Sequence, residues 1–125
     1  MILDTNAVWA LLSGDKSFGN LIADSDTHQL PLPVVGEYRY GLLISRKERR
    51  LESLFRRLEA DSEVLYPDRE TAEIYASIRY ELKKIGRPIP ESDIWIAALG
   101  RQYDLEIISN DTHFDQVDGA RRIGW

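Results

Sequence analysis

The sequence predicts a three-layer α/β/α domain with a short, mostly parallel central sheet. Short apolar runs alternate along the chain with longer segments whose apolar residues repeat at helical spacing, the pattern of strands alternating with helices. The length of 125 residues suits one domain and leaves no room for a second core of normal size. No internal repeat, low-complexity tract or linker interrupts the pattern. We therefore expect a single domain over residues 1–125.

The elements of the first half are predicted from apolar runs and from the residues that end them. Gly14 is a typical residue after the last turn of a helix, and Pro33 suits the first turn of one. Leu51, Leu54 and Leu58 recur at spacings of three and four residues, which places them on one face of an amphipathic helix. The predicted elements are a strand at 1–3, a helix ending at 14, a helix at 16–25, an extended segment at 30–33, a helix from 33 to about 45, and a helix at 46–60.

The elements of the second half are predicted in the same way. Gly86 is a plausible end for a long amphipathic helix, and Pro88 and Pro90 require a loop because two such prolines do not fit a helix interior. Ser92 or Asp93 is expected to cap the helix that follows. The predicted elements are a strand at 63–66, a helix at 68–85, a loop at 87–90, a helix through 95–99, a strand at 106–109, a helical turn at 112–116, and an edge strand at 120–125.

The composition excludes several classes of function. The chain has no Cys, so disulfide frameworks, thiolate zinc sites and Cys nucleophiles are ruled out. It also lacks a Gly-rich loop between a strand and a helix, which argues against nucleotide binding of the P-loop or dinucleotide type. Its apolar runs are far shorter than the roughly 20 residues of a membrane span, and its N-terminus lacks the pattern of a secretory signal. A cytoplasmic protein without a membrane partner is expected.

Four acidic residues fall at the places where parallel α/β sheets bind ligands. Asp4 closes the first strand, Asp111 follows the strand at 106–109, and Glu37 and Asp93 lie near the starts of apolar helices. Each alone is also an ordinary helix cap or surface residue. Together they would repel one another unless protons or a hard divalent cation offset their charge. Oxygen ligands without Cys or paired His favour Mg²⁺ or Mn²⁺ over Zn²⁺.

Four stretches of the sequence resemble PIN domains, and within them the VapC-type toxins of bacterial and archaeal toxin–antitoxin pairs. The stretches read ILDTN at 2–6, VGEYRYG at 35–41, PESDIWIAA at 90–98 and SNDTHF at 109–114. They occur in the order of the family and span nearly the whole chain, and no motif position departs from the family pattern. The resemblance implies a single PIN domain over residues 1–125 with a PIN-like three-layer α/β/α fold.

The resemblance also implies an activity. Asp4, Glu37, Asp93 and Asp111 stand at the positions of the family's acidic quartet, which implies catalytic residues that bind Mg²⁺ or Mn²⁺. The implied activity is that of a metal-dependent endoribonuclease, the toxin of a type II pair, which hydrolyses RNA phosphodiester bonds by metal-activated water. The expected partners are an RNA substrate, a VapB-type antitoxin that covers the acidic site, and a second copy in a homodimer. Bound metal would explain how a chain of net charge −5 acts on RNA.

Several further residues near these motifs have predicted roles. Thr5, Asn6 and Ser109 look like residues that orient the carboxylates. Asp115 lies one helical turn after Asp111, but a solvated acid is the simpler interpretation. His113 is expected to be a packed or hydrogen-bonded residue, not a general base.

The tryptophans and the remaining alternatives complete the sequence-based expectations. Trp9 and Trp95 lie in apolar helices, which favours core or subunit contacts over base stacking. A catalytically inactive PIN-like RNA- or protein-binding module is the main alternative, although the presence of all four acids counts against it. A phosphatase of the haloacid-dehalogenase type would need a second Asp two residues after Asp4, where this chain has Asn6.

Overall fold

A five-stranded parallel sheet lies at the centre of the computed structural model, which describes residues 1–22, 27–45 and 49–125. The strands are β1 (Ile2–Leu3), β2 (Gln29–Pro31), β3 (Glu63–Leu65), β4 (Ile107–Ile108) and β5 (Arg122–Ile123). The helices are α1 (Thr5–Leu12), α2 (Lys16–Gly19), α3 (Leu32–Ser45), α4 (Arg49–Asp61), α5 (Arg69–Lys84) and α6 (Glu91–Tyr103), and a 3-10 turn covers Thr112–Gln116. Within these described ranges, no helix is long and apolar enough to cross a membrane.

The strand order β3-β2-β1-β4-β5 puts the first strand in the middle of the sheet. All neighbouring strands are parallel, and Leu3 of β1 is in register with Ile108 of β4. The backbone N–H of Asp4 donates to the carbonyl of Ile108 at 3.1 Å, so pairing continues just beyond β1. Because parallel strands end at the same edge of a sheet, the residues after β1 and β4 lie side by side.

The short apolar strands lie in the hydrophobic core. Every residue of β1 and β4 is fully buried, as expected for parallel strands with helices packed on both faces. Tyr38 of α3 is also fully buried, with its ring centroid 4.5 Å from that of Trp9 and 4.4 Å from that of Phe55. These ring contacts join α1, α3 and α4, and they hold α1 against α3.

Contacts between α5 and α6 fix the start of α6. The Tyr75 hydroxyl on α5 hydrogen-bonds a carboxylate oxygen of Glu91, in the first turn of α6, at 2.8 Å. The rings of Tyr75 and Trp95 stack with centroids 4.2 Å apart and an angle of 19° between their planes. The first turn of α6, which carries Asp93, is therefore held against a long neighbouring helix.

The structure corrects two sequence-based expectations about helices. The predicted helix at 16–25 is helical only over Lys16–Gly19, and residues 23–25 lie outside the described residues. Neither Ser92 nor Asp93 caps α6, because the helix already begins at Glu91. The carbonyl of Pro90 accepts the first backbone hydrogen bonds of the helix instead, which leaves the Asp93 side chain inside the first turn. The start of the predicted helix at 46–60 also lies outside the described residues.

Candidate active site

The four acidic residues predicted from the sequence line one cavity of about 360 Å³. Asp4 follows β1 and Asp111 follows β4, while Glu37 lies in the second turn of α3 and Asp93 in the first turn of α6. The cavity is therefore at the carboxyl edge of the sheet, where α/β folds bind their ligands. The other lining residues are Thr5, Asn6, Trp9, Pro90 and Ser92.

A larger cavity of about 440 Å³ lies between α5 and the start of α6. Its walls are mainly apolar, with Leu82, Ile89 and Ile94 among them, and Glu91 is the one acid among the described residues that line it. We place the candidate active site in the smaller cavity because four carboxylates from four elements meet there, and such an arrangement needs a compensating ligand.

Asp4 is the most deeply buried acid of the site, with 4% of its surface exposed. The Ser109 hydroxyl donates to its Oδ2 at 2.6 Å, and the Asn6 amide donates to the same oxygen at 3.3 Å. Burial raises the pKa of Asp4 from 3.8 to about 6, against the effect of the Ser109 hydrogen bond. The charges of Asp93 and Glu37 raise it further. The Asp4 carboxylate is therefore poised to take up a proton or a cation.

Asp93, Asp111 and His113 form the tightest group in the site. The His113 Nδ1 lies 3.0 Å from Oδ2 of Asp93 and 2.9 Å from Oδ1 of Asp111. One ligand atom from each of the three residues lies within 4.8 Å of the others. Burial raises the pKa of Asp93, and the charges of Asp111 and Glu37 add to this, while the hydrogen bond to His113 opposes it. The hydrogen bond to Asp93 is the main cause that raises the pKa of His113.

His113 is hydrogen-bonded, as expected, but its carboxylate partners were not foreseen from the sequence. The Asp111 side chain accepts the backbone N–H of His113 at 2.9 Å, at the start of the 3-10 turn. This turn brings the imidazole back over the carboxylates. The available sequence signal was the spacing of two residues between Asp111 and His113, which matches an Asx-type turn.

Short hydrogen bonds connect the acids to neighbouring polar side chains. The Thr5 hydroxyl donates to Glu37 at 2.5 Å and joins α1 to α3. The Ser109 oxygen accepts the Asn6 amide at 3.1 Å and the backbone N–H of Asp111 at 2.9 Å, while its proton goes to Asp4. The three polar residues predicted to orient carboxylates therefore contact them or their neighbours directly.

Asp115 is held away from this network. Its two carboxylate oxygens accept hydrogen bonds from Arg122 of β5 at 2.8 and 2.9 Å, and it does not line the cavity. The hydrogen bonds from Arg122 lower the pKa of Asp115. Although Asp115 follows Asp111 by only four residues, it forms an ion pair at the edge of the sheet and does not belong to the candidate active site.

The donor set fits a hard divalent cation. Asp4 and Asp93 are buried carboxylates. The negative charge of Asp93 raises the pKa of Asp4, and a bound cation would offset this repulsion. The donors are carboxylate oxygens, with one imidazole nitrogen beside them, and carboxylate oxygens are the ligands that Mg²⁺ and Mn²⁺ prefer. The residues best placed to share such an ion are Asp93 and Asp111, with Asp4 and Glu37 on the same cavity wall.

The sequence matches the PIN domain family over residues 1–120. The chain belongs to the PIN-domain family. This PIN domain is 31% identical to Ribonuclease VapC5 of Mycobacterium tuberculosis, in an alignment that covers 98% of this chain and 90% of the relative. The family assignment made from the four sequence stretches is therefore confirmed.

Solved structures confirm the PIN-like α/β/α fold. The PIN domain superposes on VapBC2 from Rickettsia felis bound to a promoter DNA fragment with a TM-score of 0.88, at 22% identity and over 99% of this chain and 97% of the other. It also superposes on VapBC-5 from Mycobacterium tuberculosis, a member of the VapBC family of toxin–antitoxin systems. That TM-score is 0.72, at 29% identity and over 98% of this chain and 94% of the other.

Proposed function

We propose that this chain is a metal-dependent endoribonuclease, a single PIN domain over residues 1–125 that acts as the toxin of a VapBC-type pair. The observation that carries the proposal is the meeting of Asp4, Glu37, Asp93 and Asp111, from four separate elements, around one cavity. Their mutual repulsion and burial cost stability, and a catalytic cation explains why they are placed together. The 31% identity to Ribonuclease VapC5 supports RNA as the substrate class.

The site residues have distinct roles in this proposal. Asp93, Asp111 and Asp4 would hold Mg²⁺ or Mn²⁺, and Glu37 would contact the ion directly or through water. When bound, the ion supplies positive charge that polarises the scissile phosphate and activates the attacking water. Ser109 fixes the orientation of the Asp4 carboxylate, because its hydroxyl donates to Asp4 while its oxygen accepts from the backbone of Asp111.

Removal of divalent cations is expected to stop RNA cleavage. Purified protein dialysed against EDTA should lose at least about 99% of its activity on a fluorescently labelled RNA, because the repelling carboxylates then have no counter-ion. Addition of Mg²⁺ or Mn²⁺ should restore it. An Asp93→Asn preparation purified in parallel controls for contaminating nucleases. Cleavage in EDTA at the original rate would contradict the proposal, and absence of cleavage with both metals would favour the inactive binding module.

Replacing Ser109 with alanine is expected to weaken metal binding by about 10- to 100-fold. The substitution removes the 2.6 Å hydrogen bond that orients Asp4 and the acceptor that holds the backbone of Asp111. Calorimetric titration with Mn²⁺ measures the effect without catalysis. Ser45→Ala is a matched control, since the Ser45 hydroxyl is exposed and, among the described residues, donates to the carbonyl of Leu42 within its own helix. A Ser109→Ala dissociation constant equal to that of the wild type would contradict this role.

We further propose a VapB-type antitoxin as partner. The end of α3 exposes apolar side chains, with Leu43 78% exposed, and Leu42 and Leu43 line a groove with Arg39 and Glu52. Such a groove fits an apolar peptide segment with a charged flank. Phe55 of α4 is buried in the domain's own core, so α4 itself is only partly available to a partner. A small gene directly upstream that encodes a DNA-binding protein would support the pair.

The assembly and location follow from the same proposal. The complexes among the similar structures support association with an antitoxin, and we propose a homodimer of the toxin in the cytoplasm, where its RNA substrate is found. Light scattering of the purified chain, alone and with its partner, measures both assembly states.

A further inference from the structure

The imidazole of His113 lies between two carboxylates that come from different parts of the fold. Its Nδ1 is 3.0 Å from Oδ2 of Asp93, in the first turn of α6, and 2.9 Å from Oδ1 of Asp111, after β4. These are hydrogen-bond distances. Two ligand atoms at adjacent positions of an octahedral Mg²⁺ ion are also about 3 Å apart, because each bond is about 2.1 Å long. The same three atoms could therefore share one small cation.

The backbone of His113 is held in place by contacts that do not involve its ring. The Asp111 side chain accepts the backbone N–H of His113 at 2.9 Å and caps the 3-10 turn Thr112–Gln116. The next residue, Phe114, is fully buried in the core. Because neither contact uses the imidazole, a cation that enters between the carboxylates would leave the turn in place. The ring would then remain within reach of that cation.

The imidazole ring can adjust to a cation at little cost. The side chain of His113 is 46% exposed, so the ring can turn about its side-chain bonds without disturbing the core. On binding a cation, Nδ1 would release its proton to the solvent, while Nε2 keeps its hydrogen. A cation between Asp93 and Asp111 would therefore meet one nitrogen ligand as well as carboxylate oxygens.

We propose that His113 binds the cation of the site through Nδ1, beside Asp93 and Asp111, and makes the site prefer Mn²⁺ to Mg²⁺. The inference rests on the proposed metal-dependent function. Imidazole nitrogen is a good ligand for transition-metal ions, whereas Mg²⁺ takes oxygen ligands and gives up its water reluctantly. At a site with a nitrogen ligand, the affinity should also rise from Mn²⁺ to Co²⁺. His113 would thus determine which cation the four acids hold.

Pulsed electron paramagnetic resonance of the chain loaded with Mn²⁺ tests this ligand directly. A bound imidazole gives a nitrogen hyperfine coupling, which should change when histidine is labelled with heavy nitrogen and disappear in His113→Asn. Asparagine keeps a hydrogen-bond donor near the position of Nδ1, so the carboxylates retain a partner. The sequence has one other histidine, His28, which precedes β2 and lies at the opposite edge of the sheet from the acids. Bound Mn²⁺ without nitrogen coupling, or a coupling that persists in His113→Asn, would overturn the proposal.

Calorimetric titration with Mg²⁺, Mn²⁺ and Co²⁺ measures the selectivity. His113→Asn is expected to weaken binding of Mn²⁺ by about 10-fold and of Co²⁺ by more, while the dissociation constant for Mg²⁺ changes by less than about threefold. Gln116→Ala is the control, at a residue of the same turn that bonds Arg87 and does not line the cavity, and its three dissociation constants should match the wild type. Thermal unfolding of both variants checks that the fold is retained.

The pattern across the three ions separates the possible outcomes. If His113 only orients the carboxylates through hydrogen bonds, His113→Asn should change the affinity for all three ions by the same factor, and this result would overturn the proposal. Tight binding of Mn²⁺ by the wild type without nitrogen coupling leaves the proposed ribonuclease intact and removes only the role of His113. Failure of the wild type to bind any of the three ions would instead refute the proposed metal-dependent function.

Discussion

Replacing Asp93 with asparagine is expected to lower the rate of RNA cleavage by about a thousandfold or more, an effect of about 4 kcal/mol on the activation free energy. Asp93 belongs to the tightest group of ligand atoms in the site, with Asp111 and His113. Asparagine keeps the size of the side chain but removes the negative charge that attracts a cation. The His113 contact at 3.0 Å also loses its charged acceptor, so the geometry of the group changes with its charge.

The matched control for this experiment is Asp115→Asn. It makes the same chemical change two residues after His113, at an acid that pairs with Arg122 and does not line the cavity. We expect its cleavage rate to stay within a few-fold of the wild type. Single-turnover cleavage of a labelled RNA with saturating Mn²⁺ separates a loss of chemistry from a loss of metal affinity. Full activity of Asp93→Asn would show that the acidic cavity is not the catalytic site.

The second large effect is expected for Asp4→Asn, which should stabilise the metal-free protein although it removes activity. The pKa of Asp4 is raised to about 6 from a value of 3.8 in the unfolded chain, mainly by burial. The folded state therefore binds this proton more tightly than the unfolded state does. The contribution of Asp4 to the free energy of unfolding of the metal-free protein should be greatest below about pH 4, fall as the pH rises through 6, and level off above that. The fall that is due to Asp4 is about 3 kcal/mol, and the difference between the wild type and a variant without this carboxylate isolates it from the other acids.

Asp4→Asn should remove this fall, because asparagine stays neutral and its side-chain oxygen still accepts the Ser109 hydroxyl. Above pH 7 in EDTA, the variant is expected to be more stable than the wild type by up to about 3 kcal/mol, while its ribonuclease activity is lost. Urea denaturation between pH 4 and 8 measures this. Asp61→Asn, at an exposed acid on α4, should stay within about 0.5 kcal/mol of the wild type.

Metal gives an independent check of the same electrostatic argument. Mn²⁺ should stabilise the wild type by an amount that grows with its concentration, because the ion binds only the folded state. The stability of Asp4→Asn should respond much less. Parallel pH profiles of the wild type and Asp4→Asn in EDTA would show that burial of the Asp4 charge carries no cost in the folded protein.

The sequence predicted the elements that depend on local periodicity. Short apolar runs predicted the buried strands such as β1 and β4, the helical spacing of apolar residues predicted amphipathic helices such as α5, and proline and glycine indicated several of their ends. Asp4, Glu37, Asp93 and Asp111 could be named in advance because each follows a strand or lies near the start of a helix, and parallel winding brings those positions to one edge. Errors fell at helix ends, where backbone bonds such as those to Pro90 compete with side-chain caps.

The sequence by itself thus determined the fold class and the order of the elements, because both follow from hydrophobic pattern and chain topology. It also predicted the four acids that line one cavity, from their places beside strand and helix ends together with the resemblance of four stretches to PIN domains. Only the tertiary structure decided that His113 contacts Asp93 and Asp111, and that Gly41 makes space for Trp9 at the cavity. These contacts join residues whose side chains meet through the path of a turn or the crossing of two helices. Such distances depend on packing at the scale of a few ångströms, which no residue pattern along the chain specifies.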